Sequence, residues 1–166
     1  MELPKRKPTR LKEYDYSTPG AYFITICAHN KKHLFGEIKN YKMNLNDIGN
    51  IINCEIIKIE SRYHNIKIDK YVIMPNHIHM IICNLETEGI NPFPTKKNDI
   101  SNIIGKFKAG VSRIVGNAFM HSEEKRIWQS SFHDHIIRDK EDYNKIWEYI
   151  DTNVAKWELD CFYNKS

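Results

Sequence analysis

Two pairs of histidines offer the plainest chemistry in the sequence. His77 and His79 lie in the apolar run 74–82, and His133 and His135 lie in a second segment rich in strand-forming residues. Side chains alternate between the faces of a strand, so the two imidazoles of each pair would project from one face. Neighbouring neutral imidazoles can hold a metal ion, although an ordinary polar sheet face is an alternative explanation for so short a motif.

The surroundings of the two pairs differ. His77 and His79 are embedded among apolar residues, where a polar side chain is costly without a partner. We therefore favour this pair as a metal platform whose third ligand comes from another element. Asp134 lies between His133 and His135 and would face the other side of its strand, which indicates a more solvated strand. We interpret the second pair as phosphate or substrate contacts, or as plain surface residues.

A tyrosine and an asparagine stand four residues apart in the last helical pattern of the sequence. At about 100° per residue, Tyr149 and Asn153 fall together on one flank of the apolar stripe of that helix. The stripe consists of Tyr143, Ile146, Trp147, Ile150 and Val154. The pair could meet a group on a neighbouring sheet, or it could be a half-buried tyrosine beside a capping asparagine.

Basic residues are concentrated near the start of the chain. The sequence has 25 Lys and Arg against 21 Asp and Glu, and this modest net charge of +4 permits a nucleic-acid partner without requiring one. Residues 1–18 read as a basic arm that would contact phosphates or remain a solvated tail. Its cations are Lys5, Arg6, Lys7, Arg10 and Lys12. Further basic residues, off the apolar stripe of the second helix, are Lys106, Lys108 and Arg113.

The strand and helix patterns define the scaffold that would position these residues. Strands are predicted at four places: 21–27, 67–74, 77–83 and 131–137. Three helices are predicted: one capped by Asn46 or Asp47, one beginning near Asp99, and one capped by Asp139. The chain after residue 27 is read as a loop, and 84–98 as a mobile loop.

The short Pro75-Asn76 connection makes the two middle strands a tight hairpin and so requires an antiparallel sheet. This order favours an α+β fold, a ferredoxin-like βαββαβ sheet with both main helices on one face and an extra C-terminal helix.

The composition is that of one globular domain spanning 1–166. At 41% hydrophobic and 28% charged residues, the chain is neither disordered nor fibrous. The four cysteines are scattered without a paired motif, which is typical of free thiols in a reducing cytosol. No stretch approaches the roughly 20 apolar residues of a membrane span, so we expect a cytoplasmic protein without a membrane partner.

An ordered series of motifs resembles a known family along nearly the whole chain. The matching segments are 10–12, 14–16, 20–27, 34–38, 74–79, 128–129, 132–138, 142–143, 148–150, 153 and 156–157. They are similar to the single-tyrosine HUH transposases, and most nearly to the REP-associated tyrosine transposases of bacteria. The histidine, hydrophobic residue, histidine triplet at 77–79 corresponds to the metal motif of that family.

The resemblance implies a role for each site residue. It implies His77 and His79 as ligands of Mg²⁺ or Mn²⁺, Asn153 as the third ligand, and Tyr149 as the nucleophile. Tyr143 is the competing tyrosine, but it falls in the middle of the apolar stripe and should face the core. The family usually has a proline after the asparagine where this chain has Val154, so we expect the helix to continue a little further.

The activity that the resemblance implies is cleavage and rejoining of single-stranded DNA, often folded as a hairpin or imperfect palindrome. Tyr149 would attack the scissile phosphate to give a 5′-phosphotyrosine, and the chain would act as a homodimer. The arm, the helix cations, Arg138 and the second histidine pair would grip the DNA.

Two other hypotheses remain open at the level of sequence. The same fold could bind structured nucleic acid without cutting it. Alternatively, both histidine pairs could converge on zinc to form a small hydrolase.

Overall fold

A four-stranded antiparallel sheet organises the residues that the computed structural model describes, which are 14–85, 99–119 and 126–163. Its strands are β1 (Gly20–Cys27), β4 (Ile66–Ile73), β5 (His77–Asn84) and β6 (His133–Ile137). They lie in the order β4-β5-β1-β6, and every neighbouring pair is antiparallel. This is the strand order of a ferredoxin-like βαββαβ fold, so the predicted fold class is confirmed.

The helices are divided between the two faces of the sheet. They are α1 (Asp47–Arg62), α2 (Ile100–Ala118) and α3 (Lys140–Thr152). The buried sides of α1 and α2 share one large apolar core with Ile24 of β1 and with Ile78 and Met80 of β5. Ile146 and Ile150 of α3 pack instead on Ile81, which projects from the opposite face of β5. The extra helix therefore covers the face that carries His77 and His79.

Each helix begins at a capping side chain, and the caps of α1 and α3 are those that the sequence predicts. Asn46 accepts a hydrogen bond from the backbone N–H of Gly49, and Asp139 accepts one from that of Asp142. Asp99 caps α2 in the same way. These bonds satisfy N–H groups that have no partner within the first turn of a helix.

The end of α3 differs from the prediction. The α-helix stops at Thr152, and Asn153 begins a series of turns that leads into a short 3₁₀ helix, Trp157–Leu159. The backbone N–H of Asn153 bonds to the carbonyl of Ile150, a spacing of three residues that tightens the last turn. The expected continuation of the helix through Val154 is therefore wrong.

A small hairpin occupies part of the region read as a loop. Its strands are β2 (Gly36–Lys39) and β3 (Lys42–Leu45). Asn40 and Tyr41 connect them with φ angles of 51° and 58°, the left-handed conformation that a two-residue type I′ turn requires at both positions. The hairpin leads directly into α1, and Phe35 just before it is fully buried.

Two predicted segments lie largely outside the described residues. The basic arm is described only from Tyr14 onward, and the predicted loop 84–98 is described only at Asn84, which ends β5, and at Leu85. Among the helices of the described ranges, none combines the length and apolar character needed to cross a membrane.

The close approach of α1 to the small hairpin generates a stability prediction. A Cβ added at Gly49 would overlap the carbonyl oxygen of Phe35, so Gly49→Ala should lower the free energy of unfolding by about 1–3 kcal/mol through overpacking. Gly105 of α2 has open space around its Cα, and Gly105→Ala should raise that free energy by roughly 0.5–1 kcal/mol through helix propensity. Urea unfolding of both variants measures the contrast, and equal effects of one sign would contradict this packing.

Candidate metal and tyrosine site

The two histidines of β5 are buried on the face that α3 covers. His77 and His79 are 0% and 1% exposed. His79 lies opposite Thr25 of β1, and its Nδ1 is 2.8 Å from the Thr25 hydroxyl. Nδ1 of His77 is 2.8 Å from Oδ1 of Asn76; an amide oxygen only accepts, so Nδ1 of His77 is the donor. Nε2 of His77 therefore carries a lone pair, and this buried atom has no hydrogen-bond partner.

Burial keeps both imidazoles neutral. Removal from water lowers the pKa of His77 to about 4 and lowers the pKa of His79 well below its usual value, the latter with a contribution from His77. Neutral imidazole is the form that binds a metal ion. The histidines are therefore in the ligand form at neutral pH.

Tyr149 of α3 points at the histidines. Its hydroxyl oxygen is 3.1 Å from Nε2 of His79, and the hydroxyl donates to Oδ2 of Asp160 at 2.9 Å. Burial, followed by the charge of Asp160, raises the pKa of Tyr149. The competing Tyr143 is directed elsewhere, because its hydroxyl donates to Asp69 of β4. The ring of Tyr143 is half-buried against the cluster of Ile81, Ile146 and Ile150, so it lies partly, not fully, in the core position that the helical geometry predicts.

The Thr25 hydroxyl can serve either tautomer of His79. While the Tyr149 hydroxyl donates to Asp160, its oxygen can accept from an Nε2–H of His79, and the Thr25 hydroxyl then donates to Nδ1. If Nε2 instead holds a metal, the proton moves to Nδ1 and the Thr25 hydroxyl accepts from it. A hydroxyl both donates and accepts, so it supports the ring in both states.

Asn153 and Asp160 complete the cluster from beyond the end of α3. Asn153 is 2% exposed, its Nδ2 donates to Oδ2 of Asp160 at 2.8 Å, and its buried Oδ1 has no partner. His77, His79 and Asp160 each offer a ligand atom, and these atoms all lie within 4.8 Å of one another. Two unpaired atoms of ligand type, Nε2 of His77 and Oδ1 of Asn153, thus lie in a cluster whose donor set suits a divalent ion.

Asp160 is the member of the cluster that the sequence reasoning missed. It belongs to irregular chain seven residues after Asn153, where no periodicity relates it to the sheet. The only sequence feature that could have indicated it is an acidic residue a few positions after the end of α3.

Aromatic rings of the same C-terminal segment cover the histidines. The ring of Phe162 lies 4.7 Å from that of His77 and 5.8 Å from that of His79, and the Trp157 ring lies 5.9 Å from that of His77. The Lys31 ammonium lies 5.3 Å from the Phe162 ring centroid. This cover excludes water and accounts for the low exposure of both imidazoles.

The second histidine pair lies on the same face of the sheet but apart from the cluster. His133 and His135 of β6 are exposed, and they stand opposite Thr25 and Phe23 of β1. Nε2 of His135 is 2.7 Å from Oδ2 of Asp142. The four histidines do not form one site, because β1 separates the two pairs and the ligand cluster contains only the first.

The predicted DNA contacts are distributed over both faces. Lys106, Lys108 and Arg113 lie on α2, on the face opposite the histidines. The Lys108 ammonium donates to the carbonyls of Gln129, Ser130 and Ser131, and so holds the chain before β6 against α2. Arg138 lies on the histidine side, in a groove that it shares with Ala21 and Tyr143.

Comparison with solved structures identifies the class of fold. A REP-associated tyrosine transposase, whose structure is bound to a REP hairpin, matches 91% of this chain and 75% of its own with a TM-score of 0.64 and 23% identity. A protein of Deinococcus radiodurans described as a candidate transposase matches 86% of this chain and 97% of its own with a TM-score of 0.52 and 13% identity. The resemblance drawn from the sequence motifs is thus confirmed at the level of the fold.

A sequence relative identifies the family. A protein of Haemophilus influenzae, described as uncharacterized, is 41% identical to this chain over an alignment of 170 residues. The alignment covers 95% of this chain and 93% of that protein. The chain belongs to the same family as this Haemophilus protein. No established family model matches the sequence.

The hydrogen bond between Thr25 and His79 generates a second prediction. Thr25→Val keeps the shape of the side chain but leaves Nδ1 of the buried His79 unpaired, so it should lower the free energy of unfolding by about 1–3 kcal/mol. Thr25→Ser keeps the hydroxyl and should lose clearly less. Urea unfolding of the metal-free protein measures both changes, and a Val variant as stable as the Ser variant would show that the bond contributes nothing.

Proposed function

We propose that this protein is a metal-dependent single-stranded DNA endonuclease and strand transferase, a transposase-type enzyme that works through a 5′-phosphotyrosine at Tyr149. The observation that carries the proposal is the 3.1 Å distance between the Tyr149 hydroxyl and Nε2 of His79. A nucleophile and a metal platform must share one small site if both are to act on one phosphate, and this contact brings Tyr149 and the histidines together. The fold shared with a transposase bound to a hairpin supports the same substrate class.

The metal site of this proposal consists of His77, His79 and Asn153. The unpaired Nε2 of His77 and Oδ1 of Asn153 support these assignments. Mg²⁺ or Mn²⁺ is the expected ion, and when bound it supplies Lewis-acid polarisation of the scissile phosphate. Mg²⁺ and Mn²⁺ both accept an amide oxygen readily.

The tyrosine chemistry conserves the phosphodiester energy. The Tyr149 oxygen forms a bond to phosphorus, the bond to the 3′ oxygen of the preceding nucleotide breaks, and that oxygen leaves as a free 3′-hydroxyl after gaining a proton. The Tyr149 proton passes to an acceptor at the site. A different 3′-hydroxyl reverses the step, so the strand is transferred without ATP.

The DNA strand is proposed to follow the open part of the sheet beside the site. β6 is an edge strand, and His133 and His135 are exposed on the same face as the metal platform. With Arg138 they offer phosphate contacts within a few nucleotides of Tyr149. The basic arm, Lys106 and Arg113 would hold the remainder of a hairpin. Lys108, also expected to contact DNA, instead donates its ammonium to the carbonyls before β6.

A covalent adduct tests the proposed nucleophile. Incubation of the protein with single-stranded hairpin DNA and Mn²⁺ should give a protein–DNA species on a denaturing gel. Tyr149→Phe should abolish it, because a phenyl ring has no oxygen to attack phosphorus. Tyr143→Phe is the matched control on the same helix and should retain it.

The cleavage proposal fails if Tyr149→Phe gives as much adduct as wild type, or if no hairpin substrate gives any. A protein that still binds the hairpins under those conditions would support the binding module without cleavage.

The oligomeric state is also part of the proposal. The proposed domain spans 1–166. One nucleophilic tyrosine forms one covalent link to DNA per chain, so joining two DNA ends requires two copies of the chain. Sedimentation velocity should therefore show a species of twice 19.7 kDa. A single 19.7 kDa species, with and without DNA, would contradict the homodimer and limit each molecule to one link.

A further inference from the structure

We propose that Asp160 supplies the carboxylate of the metal site, acting as an additional ligand that also holds Tyr149 and Asn153 in place. This inference rests on the proposed function, because it concerns the same metal and the same tyrosine. It adds a residue that neither the motif pattern nor the helical geometry indicates.

The hydrogen bonds of Asp160 show how its carboxylate is oriented. Oδ2 accepts from the Tyr149 hydroxyl at 2.9 Å and from Nδ2 of Asn153 at 2.8 Å. Oδ1 accepts from the backbone N–H of Phe162 at 2.7 Å. One carboxylate therefore joins the proposed nucleophile to the proposed amide ligand. Because Asp160 accepts a hydrogen bond from Nδ2 of Asn153, Oδ1 is the amide atom that remains available to bind a metal.

The carboxylate of Asp160 forms no ion pair in the described part of the chain. The ion pairs found there involve other residues. A half-buried carboxylate next to two neutral imidazoles favours a positively charged occupant.

The distances allow Asp160 to bind the same ion as the histidines. Its ligand atom and those of His77 and His79 lie within 4.8 Å of one another, a spread that a small shift of side chains could close around one divalent ion. Two imidazoles and an amide carry no charge. The carboxylate adds the anionic oxygen that Mg²⁺ and Mn²⁺ prefer.

Asp160 could instead serve only the local turn, because its bond to the N–H of Phe162 is a common turn contact. That bond uses Oδ1, whereas the contacts to Tyr149 and Asn153 use Oδ2. Asp160→Asn can retain the turn bond through its amide oxygen but loses the negative charge. This variant therefore separates a local role from a role at the metal.

Titration calorimetry with Mn²⁺ tests the inference on the 166-residue chain. Asp160→Asn should weaken Mn²⁺ binding at least about tenfold, the loss expected even for a group that only supports a metal ligand. Glu158→Gln removes one negative charge from an exposed position of the same segment and should bind Mn²⁺ as wild type does. Asp160→Glu restores the carboxylate and should bind more tightly than Asp160→Asn.

Thermal unfolding of the metal-free variants shows whether each is folded before it is titrated. The inference is overturned if folded Asp160→Asn binds Mn²⁺ within about twofold of wild type, or if Glu158→Gln loses as much affinity. Should Asp160→Asn fail to fold, the Mn²⁺ electron paramagnetic resonance spectrum of wild type decides: a spectrum unchanged by Asp160→Glu contradicts carboxylate ligation, and a changed one supports it.

The same proteins in the covalent-adduct assay separate this inference from the proposed function. If wild type forms the adduct and Asp160→Asn binds Mn²⁺ as tightly as wild type, Asp160 is not a metal ligand and the nuclease proposal stands. If Asp160→Asn loses Mn²⁺ affinity and wild type forms no adduct, the metal site stands and the nuclease proposal is rejected.

Discussion

The antiparallel pairing of β1 with β5 is the constraint on which the site depends. It joins Thr25 to His79 and puts Cys27 opposite His77, so the register decides which residues share a face. Slipping this register by one residue would turn both imidazoles into the apolar core under α1 and α2. Ile78 and Met80 hold the register, because each is fully buried on the other face. The apolar core thus fixes the orientation of a polar site on the opposite face of the sheet.

The second requirement is a dry environment on the polar face. The histidines receive it from α3 and from the aromatic rings of Trp157 and Phe162. Burial keeps the imidazoles neutral and raises the pKa of Tyr149, so the histidines are in the form that binds metal while the tyrosine stays protonated. In the proposed mechanism, this environment keeps Tyr149 inactive until a metal supplies positive charge and a proton acceptor is present.

Sequence patterns predicted the parts of this structure that repeat with a period. Alternation along β5 placed both histidines on one face, and the angular position of Tyr149 on α3 separated it from Tyr143. The small hairpin was missed because its strands are four residues each and its turn is Asn40-Tyr41, without the glycine that usually marks a type I′ turn. Asp160 was missed for a related reason. The irregular chain after a helix shows no periodic pattern of apolar residues, so the position of Asp160 depends on tertiary packing that the sequence does not display.

The central claim is that Tyr149 is the residue that becomes linked to DNA, and peptide mapping of the adduct tests it most directly. Trypsin cleaves after Lys145 and Lys156 and places Tyr149 alone among tyrosines in the peptide 146–156, while Tyr143 falls in the peptide 141–145. Mass spectrometry of the nuclease-trimmed adduct should find the nucleotide mass on 146–156 and none on 141–145. A nucleotide on 141–145, or on any peptide other than 146–156, would contradict the account.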